Sequence, residues 1–355
     1  MKNTIPSTTI GLDLGDKKHS VCVLNADGEI IDERTITNHR ESLRRLSLKY
    51  PGARIAHEVG SHSPWISRFL KELGHEVIVA NPRKLRAIYA SDRKSDRNDA
   101  RMLARIARLD PQLLYPVQHG SEEAQRDLLQ IKLRDNLVRQ RVDIISSVRF
   151  TLKSMGRSLP SPNTQCFAKR CRTILNDSDA PLLTMIEPSL QVIDLLTKNI
   201  RELDRAIERL CDEKYPHTRR LRQVMGVGAI TSLSFVLTIE DPERFRQPRD
   251  VAAYLGLVPK RDQSGGLDKQ LRISKAGDAY LRRLLVGAAQ YILGPFGPDT
   301  DLRRHGLALA ERGGARAKKK AVVAIARKLS VLLLVLWKHE RDYEPQRLVN
   351  LPQAA

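Results

Sequence analysis

Thr8-Thr9-Ile10-Gly11-Leu12-Asp13-Leu14-Gly15 reads as a strand that carries one carboxylate among apolar neighbours. Alternation puts Ile10, Leu12 and Leu14 on one face and Gly11, Asp13 and Gly15 on the other. An acid in a central strand is costly to bury unless it is paired or holds a metal. The two glycines predict room beside it for a phosphate or an ion. Working outward, strands are expected over 20–25 and 29–36, joined at the Asp27-Gly28 turn. A helix over 40–49 follows, then a strand over 54–59 carrying Glu58 near its end with Gly60 behind. Ser63-Pro64 opens a second helix with Trp65, Ile66, Phe69 and Leu70 on one side. A strand over 76–80 and a short helix opened by Asn81-Pro82 complete the series.

The order β-β-β-α-β-α-β-α is that of the ribonuclease H fold, which places one carboxylate in the middle of strand 1 and another at the end of strand 4. Asp13 and Glu58 fall at those places. The next block, Lys94-Ser95-Asp96-Arg97-Asn98-Asp99-Ala100, puts Asp96 and Asp99 three apart on one helix face that Leu103 continues toward the core. Four carboxylates together require cations to stay ionised. Oxygen ligands suit Mg²⁺ or Mn²⁺, and paired ions of that kind serve phosphoryl transfer. Taken alone, the Asp96/Asp99 pair reads equally as a helix cap and a dipole partner. Asp16, Asp27, Asp32 and Asp92 read as solvated acids at turns and strand edges.

The chain has 355 residues and a net charge of +20, so two or three domains and a polyanionic partner are expected, nucleic acid first. Its four cysteines, Cys22, Cys166, Cys171 and Cys211, show no zinc spacing and read as free thiols in a reducing cytosol. The longest apolar run, 331–337, is too short to span a bilayer, and the first nine residues lack the apolar core of a signal peptide. Membrane partners are excluded, and a cytoplasmic, nucleoid-associated protein is expected.

The middle of the chain predicts a helical arm over 120–215. One helix runs over 121–155, with Ile131, Val138, Ile145 and Leu152 seven apart, and a second over 187–213. The second carries Ile193, Leu196, Ile200, Leu203, Ile207 and Leu210 at coiled-coil spacing. Between them 156–179, with Pro160 and Pro162, reads as a loop. The two helices suit an antiparallel hairpin or a seam to another protomer. A mainly helical domain over 216–345 and a tail over 346–355 follow. Gly226-Val227-Gly228 reads as a helix-hairpin-helix turn holding a phosphate on backbone N–H groups, or as a tight packing turn. Ser264-Gly265-Gly266 leaves a serine sterically open, as a nucleophile needs. Lys260, Arg261, Lys269, Arg272 and Lys275 flank it as phosphate contacts. The same residues also suit a plain hairpin tip. Ser274, a rival nucleophile, reads as the cap of a helix over 275–293. Seven basic residues and no acid lie between Arg312 and Lys328, with Arg316, Lys318, Lys319 and Lys320 expected on a helix that presents cations to a nucleic-acid backbone. At 5% aromatics, base stacking is not the main binding mode.

These blocks, with Tyr254-Leu255-Gly256-Leu257-Val258-Pro259 and Arg272-Ile273-Ser274-Lys275, occur in the order that resembles the DEDD insertion-sequence transposases, relatives of the pilin-gene invertases. The resemblance implies an α/β plus α protein: a RuvC-like nuclease domain over 1–115, joined through the coiled coil to a transposase domain with an essential serine. It implies Asp13, Glu58, Asp96 and Asp99 as metal ligands and Ser264 as a nucleophile forming a 5′-phosphoserine link to DNA. It also implies a structured guide RNA, a bridge RNA, pairing with donor and target DNA, and dimers or tetramers with composite active sites. The stretch 156–179 departs from shorter members as an insertion. Two other functions fit the residues alone: a junction-resolving nuclease in which water attacks, and a nucleic-acid scaffold whose acids only cap and solvate.

Overall fold

The computed structural model describes residues 6–85, 95–158, 163–264 and 267–347. They divide into two compact units, 1–122 and 123–355.

In the first unit, β1 (Thr8–Leu14), β2 (Lys18–Asn25) and β3 (Ile30–Thr37) form an antiparallel meander. Helix α1 (Arg40–Lys49) leads to β4 (Arg54–Glu58), and α2 (Ser63–Glu72) to β5 (Glu76–Ala80). Both late strands run parallel to β1, and the sheet order is β3-β2-β1-β4-β5. One face, with Ile10, Leu12, Val21, Val23 and Ile55, is buried by Leu43 and Leu46 of α1 and by Ile66, Phe69 and Leu70 of α2. The other is covered by α3 (Asp96–Leu109), whose Ala100, Leu103, Ala104 and Ala107 meet Cys22, Leu24, Ala56 and Ile78. Small residues recur on α3 because the approach is close. A Cβ on Gly11 would lie 2.0 Å from the Ala100 carbonyl oxygen and 2.7 Å from the Ala104 nitrogen. The space beside Gly11 is therefore filled by a helix backbone, not by an ion or phosphate as the sequence suggested, and at Gly15 the Lys18 carbonyl stands 2.4 Å from that position.

Helix α3 starts where Ser95, not Asp96, accepts the cap bond from the Asn98 N–H at 3.3 Å. Its far end is tied to the sheet. Buried Arg54 donates from Nη1 to the Ala107 carbonyl at 3.1 Å, and Arg108 donates from Nε to the Ala26 carbonyl at 3.1 Å. Asp32, expected in solvent, instead accepts from Tyr50 Oη at 2.7 Å and Lys49 Nζ at 3.0 Å. Asp92 and most of the helix expected from Asn81 lie outside the described residues.

The second unit opens with α4 (Glu122–Ser154), which lies antiparallel to α6 (Ala180–Arg209): Arg134 bonds Asp204 at 2.8 Å and Arg141 bonds Thr197 at 3.2 Å. The seam of α6 is thus used within the chain, where Ile193 and Ile200 are buried. The stretch expected as a loop over 156–179 holds α5 (Phe167–Ser178). Phe167, Ala168, Cys171 and Leu175 recur at helical spacing and pack on Ile145, Val148, Leu152, Ile186 and Leu190. The prolines hide this helix because they precede it. α6 also starts seven residues before the expected 187. Asp179 caps it, Pro181 occupies the first turn, and Pro188 sits inside the helix. All four cysteines are free.

Beyond α6 come α7 (Thr218–Leu221), α8 (Ala229–Ile239), α9 (Asp250–Tyr254), a hairpin of β6 (Pro259–Ser264) and β7 (Leu267–Ile273), then α10 (Ala279–Leu293), α11 (Asp301–Ala310) and α12 (Gly314–Lys338). Phe235, Val236, Leu281, Leu285, Ile325, Leu329 and Leu333 build the core. Ala124, Ile131 and Ile207 of the arm pack on Ala229, Leu233 and Leu237 of α8, so arm and C-terminal region share one unit. Among the described residues, no helix is long and apolar enough to cross a membrane.

The α3 contact sets the first testable outcome. Gly11→Val drives carbon into backbone that cannot rotate away. It is expected to lower the stability of the N-terminal unit, read by urea unfolding, by at least the ~1–3 kcal/mol of an overpacked core, whereas Gly60→Ala, where nothing lies within 4 Å of the new Cβ, leaves it nearly unchanged.

Candidate active site

Asp13, the last residue but one of β1, lies on the face that Gly11 presents to α3, because residues two apart share a face. The parallel register pairs Gly11 with Ala56 and Leu12 with His57, so Glu58 of β4 follows beside Asp13 on that same face. Helix α3 runs antiparallel to β1. Its C-terminal residues Ala107 and Arg108 are held by Arg54 and Ala26 at the sheet edge where β1 begins. Its first turn therefore lies at the edge where β1 and β4 end. Ala100 stands over Gly11. From there Asp13 is two residues, about 6.6 Å, along the strand, and Asp96 is four residues, about 6 Å, back along the helix. The four acids expected from the sequence thus come to one end of one sheet face.

Asp96 is exposed, while Asp13, Glu58 and Asp99 are half-buried. Among the described residues, no three His, Cys, Asp or Glu side chains stand close enough together to hold one ion. The backbone gathers the carboxylates, but their side chains are not closed into a ligand cage. The donor set fits a hard divalent ion: four carboxylates, with no Cys or His among them. The adjacent His57 alternates to the opposite face. Burial pushes it down to about 4, so it stays neutral.

Residues that sequence reasoning passed over hold this arrangement. Glu33 of β3 pairs with Cys22, which pairs with Gly11, so it faces α3. Its carboxylate accepts from Arg97 Nε at 2.9 Å and Arg101 Nη2 at 2.8 Å. Those bonds, from Arg101 first and then Arg97, hold its carboxyl down to about 2. The available signal was the Arg97/Arg101 pair, four apart on the helix that carries Asp96 and Asp99. At the same sheet edge, Asp16 after β1 accepts from His62 Nε2 at 3.2 Å after β4.

The serine block lies in the second unit. Ser264 ends β6 and pairs with Leu267. The Ser264 side chain, Gly265 and Gly266 lie outside the described part of the structure. The feet of the hairpin are locked. Gly256 and Gly277 have φ of +68° and +66°, and a Cβ on either would lie 2.2 Å or less from backbone atoms of the facing turn. Arg282 of α10 donates from Nη1 to the Leu255 carbonyl at 3.0 Å and the Ala276 carbonyl at 2.6 Å, joining both feet. Ser274 is not the cap of α10. Asp278 takes that role, accepting from the Leu281 N–H at 2.8 Å. Lys260, Arg261, Lys269, Arg272 and Lys275 are exposed along the ribbon. So are Arg316, Lys318, Lys319 and Lys320 on the first turns of α12, which begins at Gly314, a turn before Lys318. Gly226, with φ +88°, packs its turn on α10, where a Cβ would stand 3.1 Å from the Ala288 carbonyl. Gly228 caps α8 in open space, and the four-residue α7 before the turn does not make the expected helix pair.

The Glu33 cluster predicts an acid limb of stability. Because its carboxyl titrates far below the ordinary 4.5, its contribution is complete above that pH and is lost as pH falls toward about 2. Urea midpoints of wild type and Glu33→Gln are expected to differ at pH 6 and to converge through this window. A gap that stays constant with pH contradicts the assignment.

Two family models match the chain. One, of the DEDD transposase type named for IS110, matches residues 10–156. The other, described as the transposase IS116/IS110/IS902 family, matches residues 218–301. A probable family 20 transposase of Pseudomonas aeruginosa is 28% identical over 95% of this chain and 98% of its own length. The transposase for insertion sequence element IS1111A of Coxiella burnetii is 27% identical over 94% of this chain and 90% of its own. The pilin gene-inverting protein of Moraxella bovis is 27% identical over 41% of this chain and 45% of its own. With both models matching in order and relatives aligned along nearly the whole length, the chain is a transposase similar to those of the IS110 family of insertion sequences, an enzyme that cuts and rejoins DNA.

Proposed function

We propose that this transposase is a Mg²⁺-dependent site-specific recombinase that cuts DNA through a phosphoserine intermediate at Ser264. A structured bridge RNA guides it to donor and target DNA, and it works as a dimer or tetramer. The observation that carries the reading is the level placement of Asp13, Glu58, Asp96 and Asp99 at the carboxyl ends of two adjacent parallel strands. The strand order 3-2-1-4-5 with that placement supports a ribonuclease H or RuvC-like nuclease domain.

In this reading the Ser264 hydroxyl oxygen attacks a DNA phosphorus. The Oγ–P bond forms, the P–O3′ bond breaks, and the 3′-hydroxyl leaves with the proton that the serine gives up. Attack by the 3′-hydroxyl of the partner strand reverses each change and frees the serine. A divalent ion held by Asp13, Glu58, Asp96 and Asp99 would neutralise charge on the phosphate oxygens. Lys260, Arg261, Lys269, Arg272 and Lys275 hold the backbone beside the serine, and Gly228 is left as a backbone phosphate contact. Arg316, Lys318, Lys319 and Lys320 grip nucleic acid farther along, which fits the net charge of +20. The α4/α6 arm then assembles protomers through surface not used inside the chain.

Denaturing-gel trapping tests this. With labelled junction DNA, Mg²⁺ and RNA transcribed from the flanks of the gene, wild type is expected to leave a protein–DNA adduct that Ser264→Ala abolishes. Asp96→Asn should cut its yield by about 100-fold or more, and omission of RNA should prevent it. Cleaved DNA without an adduct in any variant overturns the serine step in favour of attack by water.

A further inference from the structure

We propose that Glu33 is a positioning residue for DNA cleavage: from β3 it fixes the first turns of α3 so that Asp96 and Asp99 stay beside Asp13 and Glu58. This inference rests on the carboxylate reading above.

The two ends of α3 are held differently. The C-terminal end is tied to main-chain geometry by Arg54 on the Ala107 carbonyl and Arg108 on the Ala26 carbonyl. The middle rests on Gly11 through Ala100 and Ala104 and packs Leu103 beside Ala56 and Ile78, apolar contacts that fix how near the helix comes. At the acid-bearing end two arginines, one beside Asp96 and one a turn later, converge on one carboxylate. The Glu33 side chain is only 10% exposed, against 66% for Arg97 and 33% for Arg101. A mostly buried acceptor that binds two donors of one helix fixes both rotation and height. It also engages two guanidiniums that would otherwise be available to Asp96 and Asp99, where they would compete with a divalent ion.

The test uses the full chain as wild type, Glu33→Gln and, as a control for simple loss of a surface carboxylate, Glu41→Gln. Glu41 pairs only with Arg44 and Arg45 of its own helix among the described ion pairs. Hydrogen exchange of α3 and Mn²⁺ affinity by electron paramagnetic resonance are read beside the Mg²⁺ dependence of DNA cleavage. In Glu33→Gln, amide exchange over 98–103 is expected to rise about tenfold, clearly more than over β1 and β4. Mn²⁺ affinity should fall about tenfold or more. The Mg²⁺ needed for half-maximal cleavage should rise to match, with most of the maximal rate recovered at saturation. Unchanged α3 exchange in a folded variant overturns the proposal, as does a rise spread equally over the whole unit, which marks a merely structural residue. Should Glu33→Gln fail to fold, Arg97→Gln and Arg101→Gln each remove one bond and are read by the same criteria. A wild type that takes up no Mn²⁺ defeats the metal reading, and α3 exchange then decides the Glu33 proposal by itself.

Discussion

The backbone of α3 lies directly on Gly11 of β1, and the first unit depends on that contact. A helix can reach a strand so closely only where the strand lacks a side chain and the helix offers alanines, and Gly11, Ala100 and Ala104 supply both. The approach sets the height of the helix over the sheet. Arg54 and Arg108 at one end, and Glu33 at the other, set where it lies along the strand. The direction of α3 then brings its first turn to the edge where two parallel strands end. Without that direction Asp96 and Asp99 would sit at the opposite end of the sheet from Asp13 and Glu58.

The cap of α3 matters for the same reason. Ser95 accepts from the Asn98 N–H, one of the free groups of the first turn, so the cap position is not filled by Asp96, which stands with Asp99 on that turn. Their negative charge still gains from the helix N-terminus, which eases the repulsion of bringing four acids together. In the second unit the hairpin that ends at Ser264 stands on two glycine turns clasped by one arginine. The carboxylate block and the serine block thus both rest on close backbone contacts that only glycine permits, with an ionic or hydrogen-bonded clamp added by a residue distant in sequence.

Much of this was legible from sequence. The alternation around Asp13, the Asp27-Gly28 turn, and Glu58 at the end of an apolar strand gave the element order of the first unit with small boundary errors. The acids stand out in the sequence because a carboxylate in an apolar strand is rare and therefore informative. Gly11 was misread because an open position in a strand does not say what fills it, and the filler lies some ninety residues on. Glu33 was invisible because Ile30-Ile31-Asp32-Glu33-Arg34 has no face that reads as buried, and its partners are set by tertiary packing. The helix at Phe167 was hidden by prolines just before it, although Phe167, Ala168, Cys171 and Leu175 already carried its period. The end of α10 was misassigned because Ser274 and Asp278 are both capping residues, and only the left-handed backbone at Lys275 and Gly277 decides between them.

In the proposed function the fold gathers four carboxylates to hold a divalent ion. Iron-directed backbone cleavage tests it on the wild-type protein. Fe²⁺ taken up in place of Mg²⁺, with ascorbate and peroxide, generates hydroxyl radicals that cut the chain next to the bound metal. Cuts are expected only in the neighbourhoods of Asp13, Glu58 and the first turn of α3, and excess Mg²⁺ is expected to suppress them. Cuts placed elsewhere, or a diffuse pattern that Mg²⁺ does not suppress, would contradict it.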